Sequence, residues 1–400
     1  MSFFTEHPKA RWTLPVAAAG VIGVAVMTVN QAASADSGLP SRTAAQLLAD
    51  VRSADVTSLS GTVVQTSDLG LPEIPGLGGS GGPGSASSSV SSLLSGTHTW
   101  RVWLDGPTRQ RLALIGSNGE SDVIHNGRDV WLWSSVDKSA VHHELSDEQV
   151  RAAADGKHLP GALPSALPGA LPTDAPRTPE EATSAALALI GESTDVTTSG
   201  TASVAGRSAY ELVLTPKDQN TTLVTSVRIA IDSQEHVPLR VQVYSSKLTN
   251  PAFEVGFTAV DFASPDARQF EFTPPAGTTV TESDELSAAT HAGGTDRAAG
   301  KPSGGSLDGE HAPKIVGSGW STVVVAPFSL PSAQPGSDGS AADSAAQLSG
   351  ILKALPTTSG AWGSGHVLEG TLFSLVLTED GRVALGAVPP EQLYAALAAK

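Results

Sequence analysis

The chain has 400 residues, 40% of them hydrophobic and only 16% charged, with 41 glycines and 27 prolines, which suits two or three domains joined by generous loops. A formal net charge of −16 without any basic cluster excludes nucleic acid as a partner, because phosphate binding needs grouped Lys and Arg. The absence of cysteine excludes disulfides, thiol catalysis, zinc–thiolate sites and lipidation at an N-terminal lipobox cysteine.

Lys9 and Arg11 precede an uncharged run from Trp12 to Ala35, apolar from Leu14 to Val29, and Ala33-Ser34-Ala35 supplies an A-x-A cleavage pattern. The apolar part is short against the roughly 20 residues of a membrane span. Residues 1–35 therefore read as a signal peptide, with an uncleaved N-terminal anchor as the alternative. Either way, the chain from about Asp36 onward is expected outside the cytoplasm, in the cell envelope (periplasmic) or secreted.

Pro40 to Asp55 reads as a helix, with Ser41 as N-cap and Ala44, Leu47, Leu48 and Val51 on one stripe. Gly61 to Ser67 reads as a first strand. A Gly/Ser/Pro-rich insertion at 68–96 follows, carrying Leu69, Leu71, Ile74 and Leu77. Strands then run from Thr97 to Ser134. Trp100, Val102 and Leu104 alternate with Arg101 and Trp103, and Val130 and Leu132 alternate with Trp131 and Trp133. Asn118-Gly119 and Asn126-Gly127 mark tight hairpin turns.

Ser146 to Ala154 reads as a short helix with Ser146 and Gln149 as a capping box. In the insertion at 157–177, Leu159, Leu163, Leu167 and Leu171 recur every four residues, each followed by Pro, a density that forbids a regular helix. A helix at Pro179–Ile190 with Thr178 at its N-cap comes next. Residues 196–280 read as an antiparallel meander turning at Asp232–His236 and ending in QFEFTPPAGTTV. The Ala/Gly/Ser/Asp-rich stretch 282–313 is a linker by composition. Beyond it lie a strand at Trp320–Pro327, a helix near Ala341–Leu355, strands at Val367–Thr378 and Arg382–Val388 around a Glu379-Asp380-Gly381 turn, and a helix at Pro390–Ala399. This last region is small and is expected to lean on the first domain.

Four segments carry a resemblance in combination. They are Asn126-Gly127-Arg128-Asp129-Val130-Trp131-Leu132-Trp133, Tyr210 to Lys217 (YELVLTPK), Ile231-Asp232 with Val237-Pro238, and Phe270 to Gly277 (FEFTPPAG). In this order, over about 240 residues, they resemble the LolA/LolB/RseB (MucB) superfamily, which includes the LolA-like outer-membrane lipoprotein carriers. The resemblance implies an α+β fold: a strongly curved, incompletely closed antiparallel barrel with a helical plug, in which an apolar concavity accepts a lipid or lipoprotein acyl chain without catalysis. Trp320–Phe328 and Gly381–Pro389 resemble the second domain of RseB. That likeness implies the alternative of a sigma-factor regulatory sensor binding a membrane-bound anti-sigma factor; a transporter is a further partner for a carrier. The expected division is 1–35 leader, 36–281 LolA-like domain, 282–313 linker and 314–400 small α+β domain.

No constellation for covalent chemistry stands out, so the chain is read as a non-enzyme with no cofactor and no metal. Gly78-Gly79-Ser80-Gly81-Gly82 matches G-x-S-x-G but lacks the strand and helix that a nucleophile elbow needs. His142 and His143, with His125 and Glu144, suggest a metal cluster, but adjacent strand residues point to opposite faces. The candidate ligand-binding residues are Trp100, Val102, Trp103, Leu112, Leu114, Trp131, Trp133, Leu163 and Leu167. The four tryptophans are expected two on each face, with the inner face undecided, and the two apolar insertions are expected to fold over the cavity mouth as a lid.

Overall fold

The computed structural model describes residues 39–70, 95–116, 119–154, 193–282, 313–328 and 355–399, with the single positions Ala17, Ala18, Pro179, Thr183, Leu187 and Gly191. The leader, Ser80, Leu163, Leu167, the Leu-Pro repeat, the expected lid, Thr178 and the helix near Ala341 lie outside these residues, apart from Ala17 and Ala18 in the leader and Leu355 at the end of that helix.

Most of the described chain forms one large sheet. Its strands are β1 (Ala17–Ala18), β2 (Ser58–Asp68), β3 (Ser95–Asp105), β4 (Arg109–Gly116), β5 (Gly119–Asn126), β6 (Asp129–Ser134), β7 (Ser139–Glu144), β8 (Thr194–Val204), β9 (Arg207–Pro216), β10 (Val224–Asp232), β11 (Pro238–Ser245), β12 (Phe253–Asp261) and β13 (Thr279–Glu282). The hydrogen-bonded order is β13-β7-β6-β5-β4-β3-β2-β12-β11-β10-β9-β8, with β1 paired to β3 off this path. Two meanders, β2–β7 and β8–β12, are thus joined by the antiparallel pairing of β2 with β12. The sheet curls strongly enough for β8 and β12, four places apart in the order, to touch. Among the described residues its ends do not pair, so the barrel stays open.

The turns follow the sequence chemistry. Gly127 takes φ 65° between β5 and β6, and His236 takes φ 59° before Pro238 opens β11. Strand β2 starts at Ser58, three residues before the expected Gly61. Gly61 sits where the sheet bends: a Cβ there would lie 2.6 Å from the Ala259 carbonyl and 2.9 Å from the Phe257 ring, so only glycine lets β12 approach.

Residues directly opposite in antiparallel strands share a face, so the register assigns every side chain. Val63, Trp100, Leu114 and Ser121 form one row, and Gly61, Val102, Leu112, Val123, Leu132 and Val141 the next. Through β12 the same face continues with Val255, Val241, Ile229 and Leu212. Helix α1 (Ala44–Ser53) packs on this inner face: Leu47 is buried among Val63, Val102, Tyr210, Leu212, Leu214 and Ile229, with Ala44, Leu48 and Val51 alongside. The stripe is as expected, but the helix starts later than Pro40. Its N-cap is Thr43, not Ser41, because Thr43 and Gln46 close a capping box, with Gln46 N donating to Thr43 Oγ1 at 3.2 Å and Thr43 N to Gln46 Oε1 at 2.8 Å. Helix α2 (Asp147–Ala154) uses the anticipated box, Ser146 N to Gln149 Oε1 at 2.8 Å and Gln149 N to Ser146 Oγ at 3.3 Å.

The outer face of β4–β7 has its own cover. After β12 the chain makes a short 3-10 turn (Ala267–Phe270) that packs on β4 and β5, with Phe270 1% exposed. Phe272 then meets Trp131 and Trp133 at ring-centroid distances of 5.3 and 5.8 Å. Arg111 donates to the Gln269 carbonyl at 3.3 Å and pairs with Asp122, fastening the strap. The strap ends in β13, which runs parallel to β7.

A second sheet is built from β14 (Lys314–Val316), β15 (Val323–Pro327), β16 (Thr357–Gly360), β17 (Gly363–Glu369), β18 (Ser374–Thr378) and β19 (Arg382–Gly386), in the order β14-β15-β19-β18-β17-β16. The expected single strand at 367–378 is two strands, because the chain turns at Gly370, whose amide donates to the Phe373 carbonyl. The anticipated strand at Trp320 is a 3-10 turn over Gly319–Ser321 before β15 begins. Helix α3 (Pro390–Ala398) buries Leu393, Ala396 and Leu397 against Val325, Val376, Ala384 and Val388, so this unit has a core of its own. It also leans on the large sheet, as expected: Trp320 inserts into the main core and donates from Nε1 to Thr194 Oγ1 at 2.8 Å. Leu223 N donates to the Ala387 carbonyl and Ser245 Oγ to the Thr371 carbonyl. The face away from α3 carries Ile315, Val324, Leu385, Leu375 and Leu368 in one row, and Ile315 is 69% exposed.

Candidate functional site

Charge is sorted completely between the two faces of the large sheet. Among the described strand residues from β2 to β13, none of Asp, Glu, Lys or Arg lies on the inner face. Arg101, Asp105, Arg111, Asp122, Asp129, Glu211, Arg228, Arg240 and Glu254 all point outward. An unpaired charge in apolar surroundings is strongly disfavoured, so such sorting keeps carboxylates, ammonium groups and guanidiniums off the inner surface.

The register divides the candidate residues. Trp100, Val102, Leu112 and Leu114 share the inner face, whereas Trp103, Trp131 and Trp133 lie on the outer one. The tryptophans are therefore one inside and three outside, not two and two, because 131 and 133 share the parity of 103. The outer three already have partners. Trp103 lies beneath the Arg101 and Arg111 guanidiniums, 5.7 and 5.4 Å from its ring, while Trp131 and Trp133 hold Phe272.

Polar side chains on the inner face include Gln65, Ser67, Gln110, Ser121, His125 and Ser134. Trp100, 1% exposed, buries an indole N–H without a hydrogen-bond partner among the described residues, and Gln110 likewise leaves Oε1 unpaired while its amide donates to the Pro107 carbonyl at 2.7 Å. His125 is buried beside Gln110, its Nε2 3.0 Å from the Gly127 carbonyl; burial lowers its pKa, so it is neutral near pH 7. His125 and His143 point inward and His142 outward, so the three imidazoles do not converge. Among the described residues no group of three or more His, Asp and Glu could hold a metal ion.

The outer face holds the titratable sites that the alternation pattern did not announce. Burial pushes the Asp122 carboxyl up to about 7 even though Arg111 pulls it down, and its Oδ1 lacks a partner among the described residues. His142 stacks on Trp131 at 4.1 Å and places one ring nitrogen on each of two carboxylates, Asp129 and Glu282. On sequence grounds His142 is weighed for a metal cluster and set aside as a strand end without a partner. Its true partners come from a neighbouring strand and from β13, about 140 residues away, which no spacing rule connects.

No helix among the described residues is long and apolar enough to cross a membrane. No family model and no curated protein matches the chain. Its fold is similar to solved structures of MucB and of LolA-superfamily proteins. A chain of the Pseudomonas aeruginosa MucA/MucB complex is 17% identical with a TM-score of 0.40, over 88% of this chain and 96% of that one. MucB in complex with MucA(peri) is 16% identical with a TM-score of 0.37, over 88% and 97%. A LolA superfamily protein from Nitrosomonas europaea is 12% identical with a TM-score of 0.21, over 58% and 99%.

Proposed function

We propose that the protein is an exported, non-catalytic binding protein that holds a lipid or lipoprotein acyl chain against the inner face of the large sheet, with α1 as the helical plug. The observation that carries this reading is the absence of Asp, Glu, Lys and Arg from the inner face of the described strands β2 to β13. Trp100, Val102, Leu112, Leu114, Val123 and Leu132 offer an apolar bed, and the unpaired Trp100 N–H and Gln110 Oε1 suit the hydrogen-bonding groups at the polar end of such a ligand. An open sheet can exchange plug contacts for ligand contacts at little net cost. In this reading the two insertions, with Leu163 and Leu167, act as a lid.

Titration of the full-length protein with a fluorescent fatty acid tests the reading. Saturable binding is expected, weakened about tenfold or more by Leu114→Lys, which puts a charge on the inner face. Trp103→Ala, on the opposite face, should change affinity less than about twofold. Absence of binding, or equal loss in both variants, would remove the inner face as the ligand site.

The uncovered row Ile315, Val324 and Leu385 favours a second reading, an RseB-like sensor whose small domain binds a membrane-bound anti-sigma factor. Leu385→Asp would then abolish co-purification of a single-pass membrane protein without altering fatty-acid binding.

A further inference from the structure

Among the described residues, the edge of the large sheet beside β7 is closed only by β13, four exposed residues whose backbone pairing starts with Thr279 N donating to the Lys138 carbonyl at 2.8 Å. So short and solvated a strand has little burial to hold it. What it has is one side-chain cluster on the outer face. The His142 ring lies between Glu282 of β13, with Nδ1 2.8 Å from Oε2, and Asp129 of β6, with Nε2 2.9 Å from Oδ1. Its faces are fixed by the stack on Trp131, at an interplanar angle of 19°.

A neutral imidazole carries one N–H and one lone pair, so it can satisfy one carboxylate only and turns a lone pair toward the other. The imidazolium donates to both. We propose that His142 is a proton-operated clasp, which docks β13 on β7 when the ring is charged and releases this edge when it is neutral.

The surrounding charges support the assignment. The carboxylates facing the ring are Asp129 and Glu282. Glu144, the other acidic residue on this face of β7, is held by Arg128, whose Nε lies 2.9 Å away and which also binds Asp147. No cation competes for the two carboxylates in the described contacts. Burial pulls the ring downward, but the hydrogen bonds and charges of Asp129 and Glu282 outweigh it and raise the pKa above 6.5. A pKa raised on docking means that the stabilisation is present while the ring is charged and is lost as pH rises through the docked pKa, above 6.5. Acid closes the edge, and alkali leaves the backbone groups of β7 available to another strand.

Hydrogen exchange of the full-length protein at about pH 5.5 and about pH 8.5, corrected for intrinsic rates, tests the clasp. Protection of the Thr279–Glu282 and β7 amides should fall at the higher pH by about tenfold for each pKa unit that docking adds to His142. The β10 amides should keep their protection. His142→Gln should remove the pH response, and His142→Lys, which retains a cation, should hold β13 protected at both values. Glu282→Gln should shrink the response. Equal wild-type protection at the two pH values, or an unchanged response in His142→Gln, would overturn the proposal.

Discussion

The two halves of the large sheet solve the same problem differently. In β9–β12 the inner face is apolar, with Val227, Ile229, Val241 and Val255, while the outer face pairs Arg228 and Arg240 with Glu211 and Gln242 with Glu254, beside a small buried cluster of Ala209, Ala230 and Leu239. In β4–β7 both faces are apolar in part. Leu112, Val123 and Leu132 lie inside, and Ala113, Ile124, Trp131 and Trp133 lie outside under Phe270 and Phe272. A strand that carries apolar side chains on both faces needs a covering segment on each side, and this chain supplies the outer one from its own Phe-Glu-Phe stretch. The inner face of the sheet is then free to be specialised, which is where the charge sorting is found.

Removing the cover from each half in turn sharpens the contrast. Phe270→Ala should cost about 3–5 kcal/mol in urea unfolding, since it empties the strap's only fully buried ring, and Leu47→Ala about 2–5 kcal/mol from the inner side. The strap variant should expose β4–β7 amides to exchange first, and the helix variant those of β9–β10. If both variants loosened the same strands, the halves would not be separately covered.

The pH dependence divides the halves as well. Asp122, buried under the strap with its carboxyl raised to about 7, favours the folded state fully while protonated, below its ordinary value of 3.8, and this contribution is lost as pH rises toward 7. Asp122→Asn should flatten the stability profile between these values. Asp232, in the other half, behaves oppositely: burial raises its carboxyl, but Arg207 and the Gln234 and Glu235 amides outweigh it and leave the pKa below 3.8. Its contribution is present above 3.8 and lost only in stronger acid. Two smaller effects complete the set. Thr43→Ala should cost about 1 kcal/mol by opening the α1 capping box, and Phe272→Leu about 0.5–1.5 kcal/mol by removing its ring contacts with Trp131 and Trp133.

Much of this architecture was legible in the residues. Period-two alternation located β3, β6 and β9–β11, Asn126-Gly127 located a hairpin, and the Ala44/Leu47/Leu48/Val51 stripe found the buried face of α1. Alternation did not give the face assignment of the tryptophans, which were expected two on each face, because only the pairing of the strands puts 103, 131 and 133 together on the face opposite 100. Three further features were not legible. The β2–β12 pairing that joins the meanders and the parallel β13–β7 pairing are long-range contacts with no local signature. The strap is apolar without periodicity, so neither the strand nor the helix template finds it. Finally, His142, Asp129 and Glu282 meet only because β13 returns to the sheet edge.

The central claim is that the inner face holds an acyl chain, and native mass spectrometry of the full-length protein purified from a bacterial host, followed by solvent extraction, tests it most directly. A stoichiometric lipid or lipopeptide bound to the wild type and lost from Leu114→Lys is the predicted result. An unloaded protein that also takes up no added lipid would contradict it.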